Sequence, residues 1–273
     1  MKLIAVDTQL CVKCGRCAAV CPRGLIRFDS AWPESANEEL CIACGQCVAI
    51  CPTTALDNAK APLAEQIPYD AKNLPDSDTA TKFLRSRRSV RCYKKQPVDR
   101  EKLLQLMEIA RFAPTGSNSQ SISYRVIENP ETLRNISEQT VVWLERQAAG
   151  GHAAAKSYAQ YASLYRSTGQ DVILRSAPCM VMGMALKTFP RGQENTHFSL
   201  AYAELYAPTL GLGTFWAGLF TAAAFAGFAP LVDLLGLPED KCLTGAIMVG
   251  YPEFTFHRLV NRNPLDISFD TDN

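Results

Sequence analysis

The chain has 273 residues, 47% of them hydrophobic, and a formal net charge of +1. That length accommodates one small and one medium domain, each with its own core, and the apolar content is ordinary for a globular protein. A balance so near neutral excludes the concentrated basic surface that bulk nucleic-acid binding requires, so no nucleic-acid partner is expected.

The opening MKLIAVDTQLC shows neither the apolar core nor the cleavage site of an export signal. A duplicated cysteine block follows, CVKCGRCAAVCP at residues 11–22 and CIACGQCVAICP at residues 41–52. Such runs, closed by proline, hold 4Fe-4S clusters, with the fourth cysteine of each run ligating the other cluster. The pattern assigns Cys11, Cys14, Cys17 and Cys51 to one cluster and Cys41, Cys44, Cys47 and Cys21 to the second. Paired CxxC hooks also hold zinc, and cysteine pairs also form disulfides; two matching four-cysteine runs favour clusters over both. Gly15 and Gly45 let the backbone fold close to the sulfurs, and Pro22 and Pro52 turn the chain after the last ligand. The block resembles two-cluster ferredoxins over residues 1–57, which implies low-potential, one-electron transfer. Oxygen-sensitive clusters and the further thiols Cys92, Cys179 and Cys242 fit a reducing cytoplasm.

Residues 59–78 carry three prolines, scattered charges and no period, and read as an extended linker within residues 58–80. Next comes a basic segment with Arg85, Arg87, Arg88 and Arg91, then Lys94 and Lys95; taken alone, such a tract is ordinarily a solvated face. A helix is expected over residues 99–111, capped by Asp99 and apolar at Leu103, Leu106, Met107 and Ala110. The polar loop PTGSNSQS and a strand from Ile122 follow. Helices are expected at residues 130–146 and 153–166, parted by Gly150 and Gly151, and a strand at 179–186. Thr196 is the expected cap of a helix ending near Gly211, and Gly245 to Val249 lie in the last buried strand. From Leu205 to Leu231 no residue is charged, long enough for a membrane span. Pro208, Gly211, Gly213, Gly218, Gly227 and Pro230 break it into short pieces, so a buried helix, turn and strand are expected and no membrane partner.

The order of elements, from RRSVR through the PTGSNSQ loop to GYPEFTFHRLVNRNP, resembles the nitroreductase-like flavin enzymes over about residues 81–265. The resemblance implies an α+β fold: a small ferredoxin-like two-cluster domain, then an FMN-binding domain over residues 81–273. It places Arg87, Arg88, Ser89 and Arg91 on the FMN phosphate and ring, where the planar guanidinium fork suits phosphate. It also implies flavin contacts from Pro114, Thr115, Gly116, Ser117 and Asn118, and from Trp216, Ala217 and Gly218 under the ring. The resemblance also implies that Arg258 or Arg262 returns positive charge to the phosphate, with His257 beside them a further candidate. Phe215 and Trp216 also read simply as core. His152 and His197 are isolated, and Cys92 reads as a spectator thiol. The aromatics Trp143, Tyr158, Tyr161 and Tyr165 lie where relatives place a lid; at helical spacing they read first as packing, with substrate contact the alternative. No dinucleotide fingerprint, P-loop or nucleophile elbow is present.

Together these readings give an FMN-dependent oxidoreductase fed through two 4Fe-4S clusters. It would act on a small-molecule acceptor such as a nitroaromatic, a quinone or an activated alkene, with no side chain required as general acid or base. The alternatives are an electron carrier or redox sensor, and a different reductive reaction on the same scaffold. The resemblance implies a homodimer, for which residues 205–231 offer apolar material, and the fused clusters imply a low-potential donor such as reduced ferredoxin rather than NAD(P)H.

Overall fold

The computed structural model describes residues 2–28, 31–150 and 153–270. It divides into two compact units, residues 1–74 with 116–119, and residues 75–115 with 120–273. The fold is mixed helix and strand, α+β, as the sequence implies.

In the first unit, strands β1 (Ile4–Val6) and β4 (Leu56–Asn58) pair antiparallel, Ile4 opposite Asn58, and so tie the start of the double cysteine block to its end. Between them lie two equivalent halves. One carries helix α1 (Arg16–Ala19) and strand β2 (Ile26–Arg27); the other has strand β3 (Glu34–Ser35) and helix α2 (Gln46–Ala49). Each short helix begins after a glycine in the left-handed region, Gly15 at φ 75° and Gly45 at φ 68°, a conformation that costs other residues energy. Leu3, Ile4, Ile26, Val48 and Leu56 form a small core with Cys17 and Cys47.

The second unit is built on a four-stranded antiparallel sheet: β5 (Ser123–Ile127), β6 (Cys179–Leu186), β8 (Lys241–Gly250) and β7 (Gly213–Trp216), in that spatial order. Both central strands are mostly apolar because both faces are covered, with Lys241 and Thr244 of β8 as their polar positions. Met180 and Met182 of β6 and Met248 of β8 face one core, with Ile136, Val141 and Leu144 of α5 (Pro130–Ala149) and Phe220 and Ala223 of α8 (Gly218–Phe225). Cys179, Val181, Ile247 and Val249 face the other, with Leu103 and Leu106 of α4 (Arg100–Ala110) and Leu200 and Ala203 of α7 (Gly192–Tyr206). Burial, reinforced by the negative charge of Glu128, pushes the Cys179 thiol up to about 12.

Close packing of α7 on the sheet depends on two glycines. A Cβ on Gly183 would lie 2.4 Å from Thr196 Cγ2, and one on Gly245 2.9 Å from the same atom. Thr196 is thus an interior residue of α7, hydrogen-bonded to Thr244 at 2.6 Å, and not the helix cap its position in the sequence suggests.

Two expectations change. Helix α3 (Ser77–Ser86) forms where a linker gives way to a basic segment, because Asp76 caps it by accepting from Asp78 N and Thr79 N. Residues 205–231 are spent largely inside the protomer, with Leu212, Phe215, Ala217, Phe220, Ala223 and Leu231 buried in the two cores. Exposed apolar side chains instead mark the tail beyond β8, at Phe254, Phe256, Leu265, Ile267 and Phe269. Among the described residues no single helix is long and apolar enough to cross a membrane. The pair Gly218–Phe225 and Ala229–Leu235 passes on length and composition but is bent by 116°.

The segment carrying Trp143, Tyr158, Tyr161 and Tyr165 folds as a hairpin of α5 with α6 (Ala155–Thr168). Trp143 is buried, its ring 5.5 Å from Tyr158, and Tyr161 and Tyr165 pack against the same cluster. Arg166 ties the two helices through Glu138 at 2.6 Å and Glu145 at 2.8 Å. These aromatics pack the hairpin, as their helical spacing implies.

Candidate functional site

The cysteines are free thiols, and eight of them line two cavities. Cys11, Cys14, Cys17 and Cys51 surround one; Cys21, Cys41, Cys44 and Cys47 surround the other. Each cavity therefore takes three thiols from one half and the fourth from the other half, the crossing that the spacing requires. Among the described residues no three ligating side chains converge on a position for a single ion. Four thiols around an apolar hollow are a donor set for a polynuclear cluster, whose corners hold the sulfurs apart.

The surroundings of the sulfurs repeat between the halves. Leu25 N donates to Cys21 Sγ at 3.3 Å, and Ala55 N to Cys51 Sγ at 3.2 Å, at equivalent positions of the two copies. Cys47 alone also accepts from a side-chain amide, that of Asn58, at 3.6 Å. Burial pushes the Cys17 and Cys47 thiols up, so their ionisation relies on the positive charge of bound iron.

In the second unit the basic segment is laid along the free edge of β7. Ser89 forms a parallel bridge with Thr214, and Val90 N donates to Thr214 O at 2.9 Å. A Cβ on Gly213 would meet Val90 Cγ2 at 2.5 Å, so only glycine permits this approach. The tail closes on the same segment through a Tyr93 and Pro252 bridge, with Glu253 N donating to Cys92 O at 3.0 Å. The structure thus brings Arg87, Arg88 and Ser89 beside the strand that ends in Trp216, with Ala217 buried and Gly218 exposed just beyond it.

Arg88 stacks on Phe256 at 5.4 Å, and its Nε is buried without any hydrogen-bond partner. A buried guanidinium donor left unmade costs about 1–3 kcal/mol, which marks the position as waiting for an acceptor. Arg91, His257, Arg258 and Arg262 are exposed, with Arg258 two residues beyond Phe256. Pro114 and Thr115 belong to the second unit, whereas Gly116, Ser117 and Asn118 pack with the first. There the Asn118 side-chain amide donates to Ile42 O at 2.9 Å and Ala43 O at 3.1 Å, so its donors are already engaged. Ser117, Asn118 and Gln120 take φ of 52°, 53° and 45°, strain of the kind that clusters at functional loops. His152 lies outside the described residues.

Sequence reasoning missed Glu204 of α7, which is only 4% exposed. Its carboxylate accepts from Thr214 Oγ1 at 3.1 Å and from Trp216 Nε1 at 2.5 Å, and Arg87 Nη1 lies 3.7 Å away. Burial pushes this carboxyl up, against the pull of Arg87 and the two hydrogen bonds. His197, four residues before Ala201 on the same helix, meets the Trp216 ring edge-on at 5.2 Å. The sequence carries no clear signal for Glu204, since the buried face of α7 also holds the polar residues Asn195, Thr196 and Ser199.

Known proteins match both units. The Nitroreductase family model covers residues 84–251, and the model of the 4Fe-4S dicluster domain covers residues 10–57. An iodotyrosine deiodinase of Nematostella vectensis is 25% identical over 70% of this chain and 74% of its own length. An NADH dehydrogenase of Thermus thermophilus is 27% identical over 68% of this chain and 94% of its own. A nitroreductase from Bacteroides fragilis, solved with bound FMN, superposes with a TM-score of 0.57 over 71% of this chain and all of the other, at 17% identity. With more than half its length matched by one family model and the same sheet and helix layers in a solved member, the chain belongs to the nitroreductase family and carries a 4Fe-4S dicluster domain ahead of the family's fold.

Proposed function

We propose that the protein is an FMN-dependent oxidoreductase that receives electrons through two 4Fe-4S clusters and reduces a small acceptor, such as a nitroaromatic, a quinone or an activated alkene. The observation that carries this reading is the pairing, in one chain, of two four-thiol cavities with a buried Arg88 Nε that has no protein partner beside β7. Bound at these places, the clusters supply single-electron transfer and FMN supplies a hydride equivalent.

Arg87, Arg88, Ser89 and Arg91 hold the FMN phosphate, aided by Arg258, Arg262 or His257, and Trp216 to Gly218 lie along the ring. The loop from Pro114 to Asn118 addresses the flavin through its backbone, since the Asn118 side chain is otherwise engaged. The eight cysteines hold the clusters in the crossed arrangement. The chain is organised as a cluster module (1–57), a linker (58–80) and a flavin module (81–273), working in a reducing cytoplasm. A homodimer would give the apolar tail a surface to cover it, since Leu265 is 82% exposed and Phe254 69%.

Similarity to an iodotyrosine deiodinase favours a second reading, the reductive removal of a substituent from an aromatic substrate. One experiment sorts these readings: anaerobic turnover with a reduced ferredoxin and a panel of nitroaromatic, quinone, enone and iodotyrosine acceptors. Rapid consumption of one class identifies the reaction. Flavin reduction without turnover of any acceptor rejects the enzyme in favour of an electron carrier.

A further inference from the structure

Glu204 is the buried ionisable group that the reading above leaves without a purpose. Its neighbours along the inner face of α7 include Leu200 and Ala203 of the core, beside the polar Thr196 and Ser199. A carboxylate there costs several kcal/mol of desolvation that an apolar residue would avoid, unless its partners compensate. Those partners are specific. Trp216 Nε1 donates to one oxygen at 2.5 Å, Thr214 Oγ1 to the other at 3.1 Å, and Arg87 Nη1 stands 3.7 Å from that second oxygen. Both Arg87 and Trp216 are residues placed at the FMN, and Thr214 carries the backbone bridge that holds Ser89.

We propose that Glu204 is a positioning residue of the FMN site, fixing the Arg87 guanidinium and the Trp216 indole from behind so that both meet the cofactor in one geometry. This rests on the FMN reading. A carboxylate suits the task because its two oxygens accept from Thr214 and Trp216 while its charge faces that of Arg87 across an ion pair. Glutamine has the same shape but only one acceptor oxygen, and its amide N–H groups oppose the donors they face. Leucine would remove every partner. Arg87 is only partly exposed, so its direction is set by the groups around it, and Glu204 is the carboxylate that reaches it.

The test is a double-mutant cycle in the full chain with its clusters intact, reading FMN affinity by the quenching of flavin fluorescence. Glu204→Gln should weaken FMN about tenfold, the factor for a charge-assisted contact that is misdirected rather than lost. In an Arg87→Ala background the same change should weaken it by less than about threefold, because only the route through Trp216 remains. A merely structural Glu204 would give equal effects in both backgrounds, and that result overturns the proposal, as does a change of less than about twofold in the single variant. If Glu204→Gln alone proves unstable, Arg87→Ala/Glu204→Gln compared with Arg87→Ala still decides, since a full tenfold loss there refutes positioning through Arg87. A native chain that binds no FMN at all would sink the FMN reading itself; tight native binding with an unaffected variant sinks only this inference.

Discussion

Replacing Arg88 by alanine should move FMN affinity and the stability of the FMN-free protein in opposite directions. In the FMN-free chain Arg88 Nε is buried and unpaired, a burden of about 1–3 kcal/mol that the alanine variant sheds. The stacking of its guanidinium on Phe256 is lost at the same time, returning about 0.5–1 kcal/mol. The FMN-free variant should therefore be as stable as the native chain or more so, by up to about 2 kcal/mol. Binding behaves otherwise, because a charge-assisted bond to phosphate is worth about 1.5–3 kcal/mol, so the dissociation constant should rise by roughly one to two orders of magnitude. The assay is thermal unfolding of the FMN-stripped full chain with and without added FMN, alongside fluorescence titration, with iron content checked in each sample. A lower melting temperature in the stripped variant would show that Arg88 is a structural residue with a partner. Unchanged affinity would move the phosphate elsewhere.

Three further outcomes follow from the geometry. Anaerobically purified protein should hold about eight iron and eight sulfide per chain; Cys21→Ala should disrupt the cluster on Cys41, Cys44 and Cys47, and Cys51→Ala the one on Cys11, Cys14 and Cys17, as read by electron paramagnetic resonance. Stoichiometric zinc with little iron would refute the assignment. Gly183→Ala drives a methyl into Thr196 and should cost about 1–3 kcal/mol of stability; an unchanged melting temperature would mean that α7 shifts freely on the sheet. Removal of residues 254–270, the exposed apolar tail, should convert a dimer into a monomer by light scattering, and a dimer that survives would place the interface elsewhere.

The parts of this protein legible in the sequence are those fixed by local chemistry. Thiolate spacing stated the ligand sets before any fold was known, because a cube needs four sulfurs and each half reaches only three. Strand β6 was legible at its observed bounds, since Pro178 stops the chain before it and its apolar run has the length of a strand. What escaped was set by contacts distant in sequence. Thr196 looks like a cap, yet it is interior because Gly183 and Gly245 leave room for its methyl. Glu204 looks like one more polar position on a surface helix, and its meaning appears only when β7 brings Thr214 and Trp216 to it. The 205–231 stretch shows the same limit: lack of charge announces burial but not whether the covering surface is the same chain or another.

The source of electrons is the remaining consequence of the fusion. A free nitroreductase-type domain meets its donor by diffusion, whereas a tethered relay acts at an effective concentration in the millimolar range for a short linker, without any new contact. The linker of this chain contains several prolines, which make it stiffer than a glycine-rich tether. A reduced ferredoxin should therefore reduce the FMN rapidly, with NAD(P)H a poor or indirect donor. Deleting the cluster module is the wrong control, because Asn118 would lose the Ile42 and Ala43 carbonyls that fix its strained loop. Substituting ligands is cleaner: Cys21→Ala with Cys51→Ala should remove both clusters while keeping the whole of the first unit, and with it the Ile42 and Ala43 residues, in the chain. Anaerobic stopped-flow then compares native and cluster-free chains with each donor. Reduction by ferredoxin should fall by at least about tenfold in the cluster-free chain, while the slow NAD(P)H reaction stays as it was. Equal rates with NAD(P)H and ferredoxin in both chains would mean that the clusters do not feed the flavin, and that the cluster module serves another purpose.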